Sequence, residues 1–282
     1  MPTFDTPNPI SASVSLSFVV GNVRISASDR SDTTVDVRPM DGSSKADLKV
    51  AEQTRVEYAD GTLTVRVPKQ LSSLFTRTGG VDVTIELPSG SQVQADTGMG
   101  ELHCEGRLGD CRLRSGHGPI RLDEAGQLNA SSGFGDVIVD HVDGGAEVTT
   151  GSGVVRVGRI AGPARVKNSN GDTWIGEATG DLRVNAANGN VTVDRAHAGV
   201  TAKTASGGVR IGEVTRGAVT VESAAGSLEV GISAGTAAWL DLKTSAGRVR
   251  NELATTPGPD STDQTVEVRA RTYAGDILIR RA

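Results

Sequence analysis

Large rings are almost missing from this sequence. Its 282 residues include four Phe, two Trp and two Tyr, so aromatics make up 3% of the chain. An enzyme of this length ordinarily buries more of them. The shortage points to a narrow core filled by Val, Ile, Leu and Ala. Cysteine is scarce as well: Cys104 and Cys111 are too few for a disulfide framework. No apolar run reaches the ~18 residues that a membrane-spanning helix needs. The opening Met1-Pro2-Thr3-Phe4-Asp5 lacks the basic start of a secretion signal, and the apolar run from Val14 to Val20 is broken by serines. The expected location is therefore cytoplasmic, with no membrane insertion. Basic excess is missing too: the net charge is −5, which argues against a nucleic-acid partner.

Glycine is abundant, at 36 residues, and it is periodic. The repeated unit is a small polar residue, a glycine, any residue, then two apolar residues separated by one. The anchor glycines are Gly100, Gly118, Gly135, Gly153, Gly171, Gly189, Gly207, Gly226, Gly247 and Gly275. The first six intervals are 18, 17, 18, 18, 18 and 18 residues, followed by 19, 21 and 28. Chance does not hold such a register, and fixed periods mark repeat architectures.

Two and four residues past the anchors stand pairs such as Ile120 and Leu122, Val137 and Val139, and Val155 and Val157. Seven and five residues before them stand pairs such as Ala146 and Val148, Leu182 and Val184, and Val219 and Val221. Both are period-two patterns, the mark of strands with one buried face. The second set holds its offset even where the interval grows, so insertions fall in the turn after the first strand. Three before the anchors run Ser115, Ser132, Thr150, Asn168, Thr204, Ser223, Thr244 and Thr272, a polar ladder suited to backbone groups at a corner.

One rung cannot bury its own apolar face, but stacked rungs about 4.8 Å apart can. The expected fold is an all-β, single-stranded β-solenoid, or β-helix, with rungs of about 18 residues and two strands per rung. Residues 1–95 read as irregular strands capping the solenoid and 96–282 as its regular repeats, in one continuous domain. Gly21 and Gly61 extend the pattern toward the N-terminus, whereas Asp41 to Glu52 and Lys69 to Gly80 read as insertions. The tail from Val266 to Ala282 is expected to form the opposite end, with Arg280 and Arg281 as edge charges. An antiparallel sandwich of hairpins is the alternative, but hairpins do not require a fixed loop-to-loop period.

Thr150-Gly151-Ser152-Gly153-Val154-Val155-Arg156-Val157 and Ser169-Asn170-Gly171-Asp172-Thr173-Trp174-Ile175-Gly176 carry a family resemblance. They are similar to the β-strand-repeat family of bacterial "putative adhesins" of unknown function, over roughly Val14 to Arg280. The opening strands, Val56 to Gly61, and Gly275 to Ile277 resemble actinobacterial members. The resemblance implies a β-repeat fold, no known reaction and no catalytic residues to carry over. The lack of an export signal departs from the adhesin label.

Sites of chemistry are weakly marked. His103, His117, His141 and His197 occupy different repeat positions, so they are expected to be surface histidines and no metal is expected. Cys104 and Cys111 flank one turn of a single rung; two buried thiols are favoured over a disulfide. Asp136, Asp172 and Asp276 each follow an anchor, where a turn role outweighs catalysis. Gly98-Met99-Gly100 and Gly151-Ser152-Gly153 imitate dinucleotide loops, but no helix follows either, and no cofactor is expected.

The best binding candidates are outward residues: Arg156 and Trp174 on neighbouring rungs, Arg210 in the same row, and Trp239 on a later strand. The sequence thus reads as a non-enzymatic, adhesin-like scaffold or binding protein with a protein partner or self-association. A polysaccharide-binding or polysaccharide-processing β-helix, with a glycan on one face, is the alternative.

Overall fold

A computed structural model describes residues 2–67, 79–254 and 264–282, without the side chains of 17–19. Lys69 to Thr78, most of one expected insertion, lie outside the described residues. The chain is an all-β solenoid with parallel-stranded sheets and a single helix among the described residues. It divides into two units, Met1–Asp143 and Gly144–Ala282.

In the second unit, one sheet runs in the order Val155–Ile160, Thr173–Ala178, Val191–Ala196, Val209–Val214, Leu228–Ile232, Ile277–Arg281, Val249–Asn251. The other runs Ala146–Ser152, Ala164–Asn170, Leu182–Asn188, Val200–Ser206, Gly217–Ala225, Gln264–Ala274, Thr236–Ala246. Each rung contributes one strand to each sheet, all parallel. The repeat register is literal: Val155, Thr173, Val191 and Val209 are cross-strand partners and all are buried.

The corner explains the glycines. Gly189 has φ +132°, and a Cβ there would meet the carbonyl oxygen of Gly171 at 2.2 Å. Only glycine tolerates both the backbone angle and the approach of the next rung. The polar ladder crosses the same corner. Thr204 Oγ1 donates to Gly189 C=O at 3.3 Å, and Ser223 Oγ donates to Gly207 C=O at 2.8 Å.

That ladder also records a break in rung order. Thr272 Oγ1 donates to Gly226 C=O at 3.0 Å, and Thr244 Oγ1 donates to Gly275 C=O at 2.9 Å. The rung of Gly275 is therefore inserted between those of Gly226 and Gly247. This corrects the expectation that Val266 to Ala282 forms the end. Thr236–Ala246 and Val249–Asn251 are outermost instead. Val268, Ala270, Ile277 and Ile279 are fully buried, whereas Val249, in the equivalent inward register, is 44% exposed. Arg280 and Arg281 are not edge charges: Arg280 Nε binds Glu229 at 2.8 Å and Arg281 Nη1 donates to the Thr236 carbonyl at 2.9 Å.

The first unit has the same device. Ser11–Val20 pairs with both Thr62–Arg66 and Gln92–Met99, and Val23–Ser28 pairs with both Val81–Pro88 and Leu102–Arg107. The rung of Gly21 is thus interior. Outside it the strands turn antiparallel: Asp32–Pro39 runs along Val81–Pro88, Thr3–Asp5 along Asp32–Pro39, and Arg55–Ala59 along Thr62–Arg66. Gly61 is no corner anchor but half of the tight Asp60-Gly61 hairpin turn, with φ values of 49° and 72°. The expected insertion from Asp41 holds the helix Lys45–Gln53, capped by Ser44 and buried through Val50.

Candidate functional site

The outward residues past the anchors in the second unit form ladders one rung apart. Arg156 and Trp174 are cross-strand partners, and the Arg156 guanidinium lies 5.3 Å from the centroid of the indole. The ring also leans on the backbone of its own strand: a Cβ at Gly176 would meet Trp174 Cη2 at 3.0 Å. The indole is thus clasped by the protein itself. Arg210 lies two rungs beyond Trp174, beside Glu229 at 3.7 Å. Trp239 is on the other sheet, in the outermost strand, and is 58% exposed. The structure therefore joins Arg156 to Trp174 and separates both from Arg210 and Trp239.

A second row on the same sheet alternates in sign: Arg159, Glu177, Arg195, Glu213. Glu177 lies 3.8 Å from each arginine and 2.8 Å from His197 Nε2. The His197 hydrogen bond, aided by the two guanidinium charges, holds the Glu177 carboxyl below its ordinary value. This row neutralises itself.

The other sheet does not. Arg165 and Arg183 are direct ladder partners, and Lys167 projects from the same face two residues along. Like charges facing each other across a ladder are destabilising. Arg165, Lys167 and Arg183 make no ion pair among the described residues. Glu147 precedes Arg165 in the ladder, and Lys203, the next cation, is paired with Glu222 at 2.8 Å. Arg165 and Arg183 line a groove of about 690 Å³ with Glu147, Pro163, Asp181 and Thr201. Asp181 accepts the Gly199 N–H at 3.1 Å and keeps its negative charge. The candidates read from the sequence, Arg156, Trp174 and Arg210, lie on the first strand of the rung, and Trp239 alone comes from the second. The signal for this groove was equally periodic, six residues before each anchor.

The histidines are dispersed. His103 faces Glu105, His141 faces Asp143, His197 faces Glu177, and His117 stacks on Phe134 with centroids 4.9 Å apart. Among the described residues, no three His, Cys, Asp or Glu side chains are grouped to hold a metal ion. Among the same residues, no helix is long and apolar enough to cross a membrane. Cys104 and Cys111 are buried free thiols. Burial pushes Cys104 well above the usual thiol range, and burial with the nearby Asp110 charge pushes Cys111 up to about 12.

A family model described as Toastrack DUF4097 matches residues 22–280. The chain belongs to the Toastrack DUF4097 family. No curated protein matches it. Among the solved structures that resemble this Toastrack chain are three bacterial proteins. A "putative adhesin" from Parabacteroides merdae is 10% identical, with 99% of this chain and 94% of that one covered and a TM-score of 0.42. A "putative lipid binding protein" from Parabacteroides distasonis is 9% identical, with coverage of 98% and 95% and a TM-score of 0.43. A "putative adhesin" from Bacteroides fragilis is 13% identical, with coverage of 99% and 95% and a TM-score of 0.36.

Proposed function

We propose that this chain is a non-enzymatic, adhesin-like binding scaffold whose second unit takes an extended acidic protein segment along the groove of Arg165 and Arg183. The carrying observation is the like-charge pair on adjacent rungs. The fold holds two guanidinium groups and the Lys167 ammonium together without a neutralising carboxylate between them, while the other sheet interleaves Glu177 between Arg159 and Arg195. Glu147 flanks Arg165 on the far side, and a carboxylate entering between Arg165 and Arg183 would supply a counter-charge where the ladder has none, with bidentate geometry available at each arginine. A peptide is favoured over a glycan because no aromatic ring lines the groove, and Trp174, the sugar-stacking candidate, has one side against Gly176 and Arg156 near its ring.

The test is fluorescence anisotropy with a labelled oligoglutamate peptide, run beside oligogalacturonate at several salt concentrations. Peptide binding should weaken with salt and fall by about tenfold or more in Arg165→Ser/Arg183→Ser, as expected for loss of two charge-assisted contacts. Binding of oligogalacturonate alone would overturn the peptide assignment. Binding of neither, or equal binding by the double variant, would overturn the groove itself.

A further inference from the structure

Among the described residues, the outermost strand of the second unit is long and uncovered on one edge. Thr236–Ala246 has 11 residues and ends its sheet, with Gln264–Ala274 as its one strand partner among the described residues. Edge strands are commonly blunted by shortness. The first unit obeys this rule: its outermost strands, Thr3–Asp5 and Arg55–Ala59, have 3 and 5 residues. At Thr236–Ala246 the edge is instead framed by exposed apolar groups, Trp239 at 58% and Val249 at 44%. A groove of about 650 Å³ runs beside Trp239, lined by Ala237, Ala238 and Val266.

The main chain of this strand fixes how an occupant would bind. Gly275 N–H donates to Ala246 C=O at 2.9 Å, so the polar groups of Ala246 point inward to the neighbouring strand. Main-chain polarity alternates along a strand, but the ladder skips Ser245 and Tyr273, so the alternation is interrupted just before Ala246. On the inner rungs of this sheet the residue seven before the anchor faces the following rung: Ala164 N–H donates to Asp181 C=O at 2.8 Å and Leu182 N–H to Gly199 C=O at 2.9 Å. In that register Leu240, Leu242 and Thr244 offer N–H and C=O groups to the open edge, and Trp239, Asp241 and Lys243 point inward.

We propose that this edge pairs antiparallel with the same strand of a second copy of the chain, about a two-fold axis at Leu242. That register sets Asp241 of each copy opposite Lys243 of the other, twice over, and Trp239 opposite the small Ser245. Leu242 then faces its own mate as a hydrogen-bonded pair, as does Leu240 with Thr244, and Asp241 meets Lys243 as a close, non-hydrogen-bonded pair whose side chains lie nearer each other. Centring the axis on Asp241 or Lys243 would oppose like charges, and centring it on Leu240 would leave Lys243 opposite Ala237. Charge complementarity thus selects one register, and pairing the same patch on both copies closes the assembly as a dimer.

The full chain of 29.1 kDa is tested by light scattering across a dilution series. A concentration-dependent dimer is expected. Leu242→Cys should give a covalent dimer under mild oxidation, because a directly opposed hydrogen-bonded pair places its Cα atoms about 5.5 Å apart, within disulfide range. Asp241→Cys should not. Asp241→Lys should weaken association by about tenfold or more through like-charge opposition, and Asp241→Lys/Lys243→Asp should restore it, which a folding defect would not do. A strict monomer at the highest concentration overturns the proposal. A dimer insensitive to both charge variants and not trapped by Leu242→Cys overturns it equally.

Discussion

At the scale of single residues, the corner ladder is most informative where it lapses. Ala186 occupies the position that is Thr204 one rung on and Asn168 one rung back. Asn168 makes up for it: its Nδ2 donates to Gly153 C=O at 3.1 Å and also to Gly171 C=O at 2.9 Å, the oxygen that a residue at 186 would serve. The compensation is incomplete, because the Asn168 Oδ1 is buried without a hydrogen-bond partner. Such an orphan is costly, since its hydration is lost and nothing replaces it. Ala186→Ser should place a hydroxyl where it can donate to Gly171 C=O, as Thr204 does to Gly189. We expect a gain of about 1 kcal/mol, read as a melting temperature higher by ~2–4 °C. An unchanged or lower melting temperature would show that the rung is already satisfied. The ladder was legible in the sequence, gap included. The double duty of Asn168 was not, because it depends on which carbonyls converge at the corner.

At the scale of strands, period two carried most of the information. Val155 is fully buried while Val154, its neighbour in sequence, is 39% exposed. Val155→Asp should force an unpaired carboxylate between stacked rungs and cost about 3 kcal/mol or more. Val154→Asp should stay within roughly 0.5 kcal/mol. Urea unfolding of the two variants separates them, and equal midpoints would contradict the register. Elsewhere the strand pattern was readable but incompletely used. The cations Arg165, Lys167 and Arg183 lie in the outward positions of the second strand, a row as regular as the one containing Arg156 and Trp174. The helix Lys45–Gln53 was missed for a different reason. It buries only Val50, so its apolar stripe is too thin to stand out, although Ser44 followed by Asp47 is a fair N-terminal capping signal.

At the scale of the whole chain, the order of rungs was hidden by the repeat that revealed them. Each rung presents the same inward pattern, so periodicity alone cannot tell which rung stacks on which. The one trace was the 28-residue interval before Gly275, long enough for the chain to pass the outermost rung and come back inside it. The physical advantage lies in the final strands. Gln264–Ala274 and Ile277–Arg281 are paired on both edges, whereas last strands in a simple stack would have one edge unpaired and fray. Hydrogen exchange tests this directly. It should be measured in the Asp241→Lys variant, so that association does not shield the edge. Amides of Val268, Ala270 and Ile279 should exchange far more slowly than those of Leu240, Leu242 and Thr244, although they stand nearer the last residue of the sequence. If protection instead declines steadily toward Ala282, the rungs stack in sequence order, and both the inserted rung and the edge strand assigned to dimer pairing are wrong.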